Sequence, residues 1–192
     1  MRDLYLDIDR LFQKLEAEDL AGSSPSTTEQ PGQPGTGSAV APIPPGVVDT
    51  VTGKDPSSPL SDEQVQKAAY QRAFGMLREG KYDKAKAEFT DFIARFPQGD
   101  YADNAQYWLG EVNYVQRNFG AALKEFNKVL TSYPDSSKYA DALLKIGLSE
   151  FELEHWDLAS NAFNKLIERD PNSSEAQLAK KKLQRIKIQK KQ

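Results

Sequence analysis

The feature that most constrains the fold of this chain is a dipeptide ending in proline that recurs every 37 residues, as Phe96-Pro97, Tyr133-Pro134 and Asp170-Pro171. The same step separates alanines and phenylalanines without any insertion: Ala85, Ala122 and Ala159, then Phe89, Phe126 and Phe163. Small residues let two helices approach closely, aromatic residues fill the space beside them, and proline ends a helix because it lacks the backbone donor. A repeat of this length holds two helices, so the sequence predicts an all-α, helical-hairpin solenoid.

The repeat pattern extends over residues 61–192 and divides that part into three helix pairs and a terminal capping helix. We place the repeats at about 62–98, 99–135 and 136–172 and the capping helix at 173–189. Ser61 with Gln64 is a capping box for the first helix, and Asn172, Ser173 and Ser174 are candidate N-caps of the last. The predicted helices, in order, are Asp62–Glu79, Tyr82–Arg95, Tyr101–Gln116, Phe119–Ser132, Lys138–Glu154, Trp156–Arg169 and Glu175–Lys187.

Two further segments are predicted before the repeats. Residues 22–60 hold eight of the eleven prolines and are rich in Gly and Ser, so they are predicted to be a flexible linker. In residues 1–21 the spacing of Leu4, Ile8, Leu11 and Leu15 is typical of a coiled-coil seam. Only about two heptads are present, so we expect a short coiled-coil remnant that self-associates weakly. The alternative is a short amphipathic helix that docks nowhere.

Composition excludes several classes of function. The net charge of −3 argues against a nucleic-acid partner. The basic cluster on the last helix is interpreted as a solvated cap. The chain has no cysteine, which rules out disulfides and thiolate metal sites. No segment is predicted to insert into a membrane, and residues 1–20 do not resemble a secretory signal, so the signal of an exported protein is expected upstream of Met1.

No residue pattern points to catalysis, a cofactor or a metal ion. His155 is the only histidine, and we expect it to be a solvated turn residue before Trp156. Neither a phosphate-binding glycine loop nor a nucleophile elbow is present. The chain is therefore predicted not to be an enzyme, with a peptidoglycan hydrolase as the remote alternative.

The three copies resemble tetratricopeptide repeats. The residues that carry the resemblance are Leu109-Gly110 and Ile146-Gly147 in the first helices and the alanine, phenylalanine and proline positions of the second helices. The period exceeds the usual 34 residues by three, in the turns between repeats. Copy one departs from the pattern, because Arg72-Ala73 stands where the other copies have a Leu-Gly or Ile-Gly pair.

A closer resemblance rests on residues 104–114, Asn-Ala-Gln-Tyr-Trp-Leu-Gly-Glu-Val-Asn-Tyr, preceded by Phe96-Pro97 and Tyr101-Ala102. This segment is similar to the Tol-Pal-associated family called YbgF or CpoB, and the order of coiled coil, linker, three repeats and terminal helix agrees. The resemblance implies a periplasmic scaffold that forms a homotrimer through its coiled coil and whose repeat domain contacts TolA. Trimerisation is expected to be weak or absent in the present chain, which has little of the coiled coil.

The family resemblance also implies a role in coordinating outer-membrane constriction with septal peptidoglycan synthesis, with a peptidoglycan synthase complex as a further partner. The rival interpretation is an envelope scaffold, or chaperone-like protein, that recognises outer-membrane assembly components. A lipoprotein of that kind would need an acylated cysteine near its mature start, so the coiled-coil seam and the linker favour the Tol-associated interpretation.

The partner is predicted to bind along the first helices, which line the inner groove of such solenoids. By the pattern of the repeat family, the groove residues are Lys67, Tyr70, Phe74, Arg78, Asn104, Tyr107, Glu111, Tyr114, Asp141, Leu144 and Leu148. Tyr70, Tyr107 and Tyr114 are the predicted aromatic anchors for an extended or helical peptide. The alternative for each aromatic is that it belongs to the core. Some peptide-binding tetratricopeptide-repeat proteins hold a C-terminal carboxylate with Lys, Arg and Asn side chains at these inner positions. Here Glu111 and the tyrosines occupy several of those positions, so recognition of a free C-terminus is not expected.

Overall fold

The computed structural model describes residues 61–191, which contain seven α-helices. Predictions on residues 1–60, including the coiled coil and the linker, lie outside these residues and stay predictions. The helices are α1 (Asp62–Arg78), α2 (Tyr82–Arg95), α3 (Ala102–Val115), α4 (Phe119–Ser132), α5 (Tyr139–Glu152), α6 (Trp156–Arg169) and α7 (Ser174–Gln189).

The helices stack in chain order as three antiparallel pairs and a last single helix. Within each pair the first helix packs on the second, and each second helix then packs on the first helix of the next pair. The seventh helix, α7, packs on α6 and also contacts α5. This arrangement confirms the predicted all-α tetratricopeptide-repeat solenoid of three helix pairs and a terminal helix.

Two N-caps follow the sequence pattern. The Ser61 hydroxyl accepts a hydrogen bond from the Gln64 amide at 3.2 Å, and the Gln64 side chain accepts one from the Ser61 amide at 3.1 Å. The predicted capping box is therefore confirmed. Of the three candidates for the last helix, Ser173 is the N-cap, because its hydroxyl accepts from the Ala176 amide at 3.0 Å.

The first helices end earlier than the pattern predicts. Helix α1 stops one residue before the predicted Glu79, and α5 stops at Glu152 rather than at Glu154. The physical reason is the turn into the second helix, where Gly80, Arg117 and Glu154 have φ values of 71°, 60° and 60°. These three residues are 37 apart, and a left-handed backbone cannot continue an α-helix.

Glu154→Gly is expected to raise the free energy of unfolding by about 0.5–1 kcal/mol, because glycine adopts a positive φ without the steric cost of a side chain. Copy one already has glycine at this position. Urea unfolding followed by circular dichroism measures the effect. The control is Lys165→Gly in the exposed middle of α6, which should lower stability by about 1 kcal/mol. If Glu154→Gly lowers the stability, the positive φ of Glu154 does not carry the expected steric cost.

The core lies between the paired helices and is formed by the repeated alanines and phenylalanines. Ala122, Phe126, Ala159 and Phe163 are fully buried, as are their counterparts in copy one. Gly110 in α3 faces the Phe126 ring so closely that an added Cβ would overlap it, and a Cβ at the equivalent Gly147 would overlap the Phe163 ring. These glycines therefore set the distance between the two helices within copy two and within copy three.

Candidate protein-binding surface

The first helices α1, α3, α5 and α7 form the surface on which the sequence predicts partner binding, here called the first-helix face. Six of the eleven predicted residues keep accessible surface there: Lys67, Arg78, Asn104, Tyr114, Asp141 and Leu148. The other five are buried: Tyr70, Phe74, Tyr107, Glu111 and Leu144. The predicted set is therefore divided between the surface and the core.

Tyr70 is a core residue that joins two repeats. Its hydroxyl accepts a hydrogen bond from Trp108 Nε1 at 2.9 Å, and its ring lies 4.9 Å, centroid to centroid, from the Tyr101 ring. The neighbouring Phe74 packs on the same Trp108, with 5.1 Å between the ring centroids. Because α3 covers both side chains, the interpretation of Tyr70 and Phe74 as exposed groove residues is corrected.

Tyr107 is also part of the core, with only 1% of its surface exposed. Its ring lies 5.5 Å from the Phe126 ring in the paired helix and 5.6 Å from the Trp108 ring. Leu144, its counterpart 37 residues later, is buried in the hydrophobic cluster of copy three. For both positions the structure supports the alternative that apolar residues at helical spacing pack in the core.

Glu111 forms a buried ion pair between α3 and α5. Lys145 Nζ donates a hydrogen bond to Glu111 Oε2 at 2.7 Å, and the exposed fractions of the two residues are 2% and 6%. The same ammonium lies 5.2 Å from the centroid of the Tyr114 ring. Glu111 was predicted to face a groove, and the structure instead uses it to join two neighbouring first helices.

The residues that cross between first helices occupy one repeat position, 37 residues apart. They are Trp108, Lys145 and Lys182. Trp108 contacts α1, Lys145 contacts α3, and Lys182 Nζ lies 4.7 Å from the centroid of the Phe151 ring in α5. Burial lowers the pKa of Lys182, Glu152 raises it by charge attraction, and Arg185 lowers it further.

The accessible residues of the first-helix face are chemically mixed. Tyr114 presents part of a ring that packs on the Phe119 ring in a T-shaped arrangement, with 5.3 Å between the ring centroids. Asp141 lies 3.9 Å from the Lys138 ammonium. The surface therefore offers aromatic, aliphatic and charged groups of both signs, which suits a protein segment better than a small ion.

Sequence reasoning missed the residues that α7 adds to this face. Leu178 and Ile188 are 39% and 59% exposed, although both are aliphatic. Their repeat counterparts in α5 are Asp141 and Phe151. The sequence does contain a signal for them. The 37-residue step that aligns the alanines of α7 with those of the earlier first helices also aligns these two positions.

A cleft of about 330 Å³ lies at the turns between repeats, on a different part of the domain. Its lining residues are Gln98, Gly99, Asp100, Asp103, Ser132, Tyr133, Pro134, Asp135 and Ser136. The Tyr133 hydroxyl donates to the Pro97 carbonyl at 3.0 Å, and burial together with the Asp103 charge raises the pKa of Tyr133. The Ser136 hydroxyl donates to Asp103 Oδ2 at 2.5 Å. These contacts hold the turns of two repeats together.

Residues 61–191 contain no cluster of His, Cys, Asp and Glu with metal-binding geometry. In the same part of the chain, no helix is both long and apolar enough to cross a membrane. His155 lies in the turn before α6, largely exposed, with Nδ1 2.7 Å from Glu150 Oε2. Its position agrees with the predicted turn residue.

The repeat domain matches a known protein family over nearly all of its length. The family is described as YfiO, outer membrane lipoprotein, and the match covers residues 62–189. The chain belongs to the YfiO family. The matched residues include the three helix pairs and the terminal helix of the described part of the chain.

Curated relatives of this YfiO-family chain carry the name Cell division coordinator CpoB. The protein of Pseudomonas putida strain KT2440 is 42% identical over 60 residues, which are 31% of this chain and 22% of the relative. The Escherichia coli K12 protein is 37% identical over 46 residues, 23% of this chain and 18% of the relative. The match thus spans about a fifth of the relatives' length. The predicted resemblance to the CpoB family is confirmed.

A solved structure supports the same fold. The first tetratricopeptide-repeat domain of Spaghetti (RPAP3), bound to the HSP90 peptide SRMEEVD, aligns with a TM-score of 0.57. The alignment covers 68% of this chain and 97% of that domain, at 20% sequence identity. Likeness at this level of identity establishes the tetratricopeptide-repeat fold of the YfiO-family chain.

Proposed function

We propose that this chain is a non-catalytic periplasmic scaffold of cell division that binds a TolA-like protein through its first-helix face. The observation that carries the proposal is the 42% identity to proteins named Cell division coordinator CpoB. The fold agrees, because stacked helix pairs present a continuous surface for a protein segment. In this function the scaffold coordinates outer-membrane constriction with septal peptidoglycan synthesis, and a peptidoglycan synthase complex is a second partner.

The proposed binding surface consists of the six accessible residues named above. Arg78 at the end of α1 is exposed and lies in the same repeat position as Val115 and Glu152. A helical backbone that is already ordered loses little conformational freedom on binding, which favours affinity. The N-terminal segment is proposed to supply the trimer in the intact protein, and the linker to give the repeat domain reach.

Calorimetric titration of the chain with the soluble periplasmic part of TolA tests this function. We expect saturable binding that Arg78→Glu weakens at least about tenfold, equivalent to 1.4 kcal/mol or more. Lys124→Glu is the matched control, because it makes the same charge change at an exposed residue of α4. The control should bind like the wild type, and both variants must keep the wild-type melting midpoint.

An absence of heat and of co-sedimentation with TolA would reject this partner. Equal weakening by Arg78→Glu and Lys124→Glu would place the binding site away from the first-helix face. Clearing of a peptidoglycan zymogram by the purified chain would overturn the non-catalytic assignment. Sedimentation of each species counts the subunits in the complex.

The family description favours a second candidate, an envelope scaffold that recognises outer-membrane assembly components. This function would use the same first-helix face. Titration with an unfolded outer-membrane barrel precursor distinguishes the two candidates, because a Tol-associated scaffold should bind TolA and leave the precursor unbound. Binding of the precursor alone would make the second candidate the function.

A further inference from the structure

Helix α7 packs on α6 with one side. On another side it repeats, for the fourth time, the positions that form the first-helix face in α1, α3 and α5. The 37-residue step aligns four residues of α7 with residues of α5: Leu178, Lys181 and Arg185 with the predicted groove residues Asp141, Leu144 and Leu148, and Ile188 with Phe151. In α1, α3 and α5 the next first helix covers part of this set. All four α7 residues are exposed, and no helix of residues 61–191 packs on them.

Together with Lys182, these residues form what we call the α7 stripe: Leu178, Lys181, Lys182, Arg185 and Ile188. Successive turns of a helix bring residues three or four apart onto one side, so the five side chains form a continuous strip. Leu178 and Ile188 are ten residues apart, or about 15 Å along the helix axis. An aliphatic side chain therefore stands near each end of the strip, with three cations between them.

Lys182 lacks the carboxylate that its repeat counterpart has. Lys145 lies over the Tyr114 ring and pairs with Glu111, whereas Lys182 lies over the Phe151 ring and finds Leu148 at the position of Glu111. Among residues 61–191, no carboxylate forms an ion pair with Lys182. Its half-buried ammonium is thus attracted by Glu152 without a direct ion pair, and Leu148 takes the place that the Glu111 carboxylate has in copy two.

We propose that the α7 stripe binds an acidic amphipathic segment of a partner protein, whose apolar side chains cover Leu178 and Ile188 and whose carboxylates pair with Lys182 and Arg185. The proposal rests on the scaffold function proposed above and specifies the chemistry of the partner. Charge complementarity selects this occupant, because a basic or neutral segment would leave three cations desolvated without counter-charges.

An incoming carboxylate should interact more strongly with the half-buried Lys182 than with an exposed lysine. Burial lowers the pKa of this amine, and a second acid beside Glu152 would oppose that shift and favour the charged form. Ion pairs at partly desolvated positions are also screened less by salt than those at the rim of a surface. Lys182 and Arg185 are therefore the residues on which specificity for acidic segments should depend.

Fluorescence anisotropy of the full chain with two labelled, end-blocked synthetic peptides tests the proposal. One probe is an amphipathic helix with leucines at every third or fourth position and glutamates between them, and the other has lysine in place of each glutamate. We expect the acidic peptide to bind and the basic peptide not to bind. Lys182→Met with Arg185→Gln should raise the Kd for the acidic peptide at least about tenfold.

The matched control is Lys165→Gln with Lys187→Gln, which removes the same two charges from exposed residues elsewhere. Lys187 lies five residues from Lys182, about 140° around the helix, and so off the stripe. The control should change the Kd less than about twofold. Because methionine keeps the apolar contact with Phe151 and removes a half-buried charge, Lys182→Met should melt at or above the wild-type temperature, which separates lost binding from unfolding.

Equal binding of both peptides, or unchanged binding of the acidic peptide by the Lys182→Met, Arg185→Gln variant, would overturn the proposal. So would a concentration-dependent dimer in sedimentation that this variant abolishes, because the occupant would then be a second copy of the chain. If TolA binds the variant as well as it binds the wild type, the stripe is refuted while the scaffold function stands. If TolA does not bind the wild type, that partner is rejected, and the peptide result alone decides the stripe.

Discussion

Replacing Glu111 by leucine is expected to lower the free energy of unfolding by about 3–5 kcal/mol, because the substitution leaves the Lys145 ammonium buried without its counter-charge. Loss of the short hydrogen bond between α3 and α5 adds to the effect. Urea unfolding monitored by far-UV circular dichroism measures the change. A loss below about 1 kcal/mol, the size of an exposed pair, would show that solvent reaches the lysine.

The double variant Glu111→Leu, Lys145→Met is the decisive control. Removing both charges is expected to recover most of the lost stability, since an apolar pair of similar volume is often as stable as a buried ion pair. Copy three gives a partial precedent, because Leu148 already stands where copy two has Glu111. A double variant as unstable as Glu111→Leu alone would attribute the loss to the packing of residue 111 rather than to charge.

Phe126→Ala is expected to cost about 3–5 kcal/mol, since it removes a fully buried ring from between α3 and α4. A short repeat array gains its stability from contacts between neighbouring elements. We therefore expect the variant to unfold in one cooperative transition with a lower melting temperature. Calorimetry and urea unfolding both measure the change. Phe96→Ala is a control at a half-buried phenylalanine near the end of copy one, with a smaller expected loss.

The effect of Gly110→Ala on the free energy of unfolding should change sign with the residue at position 126. In the wild type the new methyl group would overlap the Phe126 ring, at a cost of about 1–3 kcal/mol. In the Phe126→Ala background the same methyl group partly fills the vacated space and should be neutral or stabilising. Helix propensity alone would make the substitution stabilising in both backgrounds by up to about 1 kcal/mol. Equal effects in the two backgrounds would rule out the overlap.

The fold could be predicted because its determinants are local and repeated. Proline positions, paired alanine and phenylalanine positions and the Ser61 capping box each act within one or two turns of helix, and the structure confirms the arrangement that they predict. The end of α5 could not be predicted, because glycine marks the left-handed residue of this turn only in copy one, after α1. Glu154 in the same conformation leaves no mark in the sequence.

The candidate site was harder to predict than the fold, because it depends on how closely one repeat approaches the next. Helix periodicity places Tyr70 and Tyr107 on a given side of their helices, but it does not say whether Trp108 or Phe126 covers them. The same limit applies to Glu111, whose partner is 34 residues away in sequence. Conversely, the lysines of α7 predict only a solvated cap, although Leu178 and Ile188 are exposed on the same helix.

The three contacts that cross between neighbouring first helices make the copies unlike one another, although their backbones repeat. An indole-to-phenol hydrogen bond joins α1 to α3, an ion pair joins α3 to α5, and an ammonium over a phenyl ring joins α5 to α7. If copy three stacked directly on copy one, Lys145 would meet Phe74 instead of Glu111, and its charge would be buried without an acid. This wrong pairing, of copy three with copy one, is thus penalised when repeats are exchanged between two chains, which is a common error of tandem arrays. The charge of one side chain, Lys145, therefore helps to decide which copy lies beside copy three.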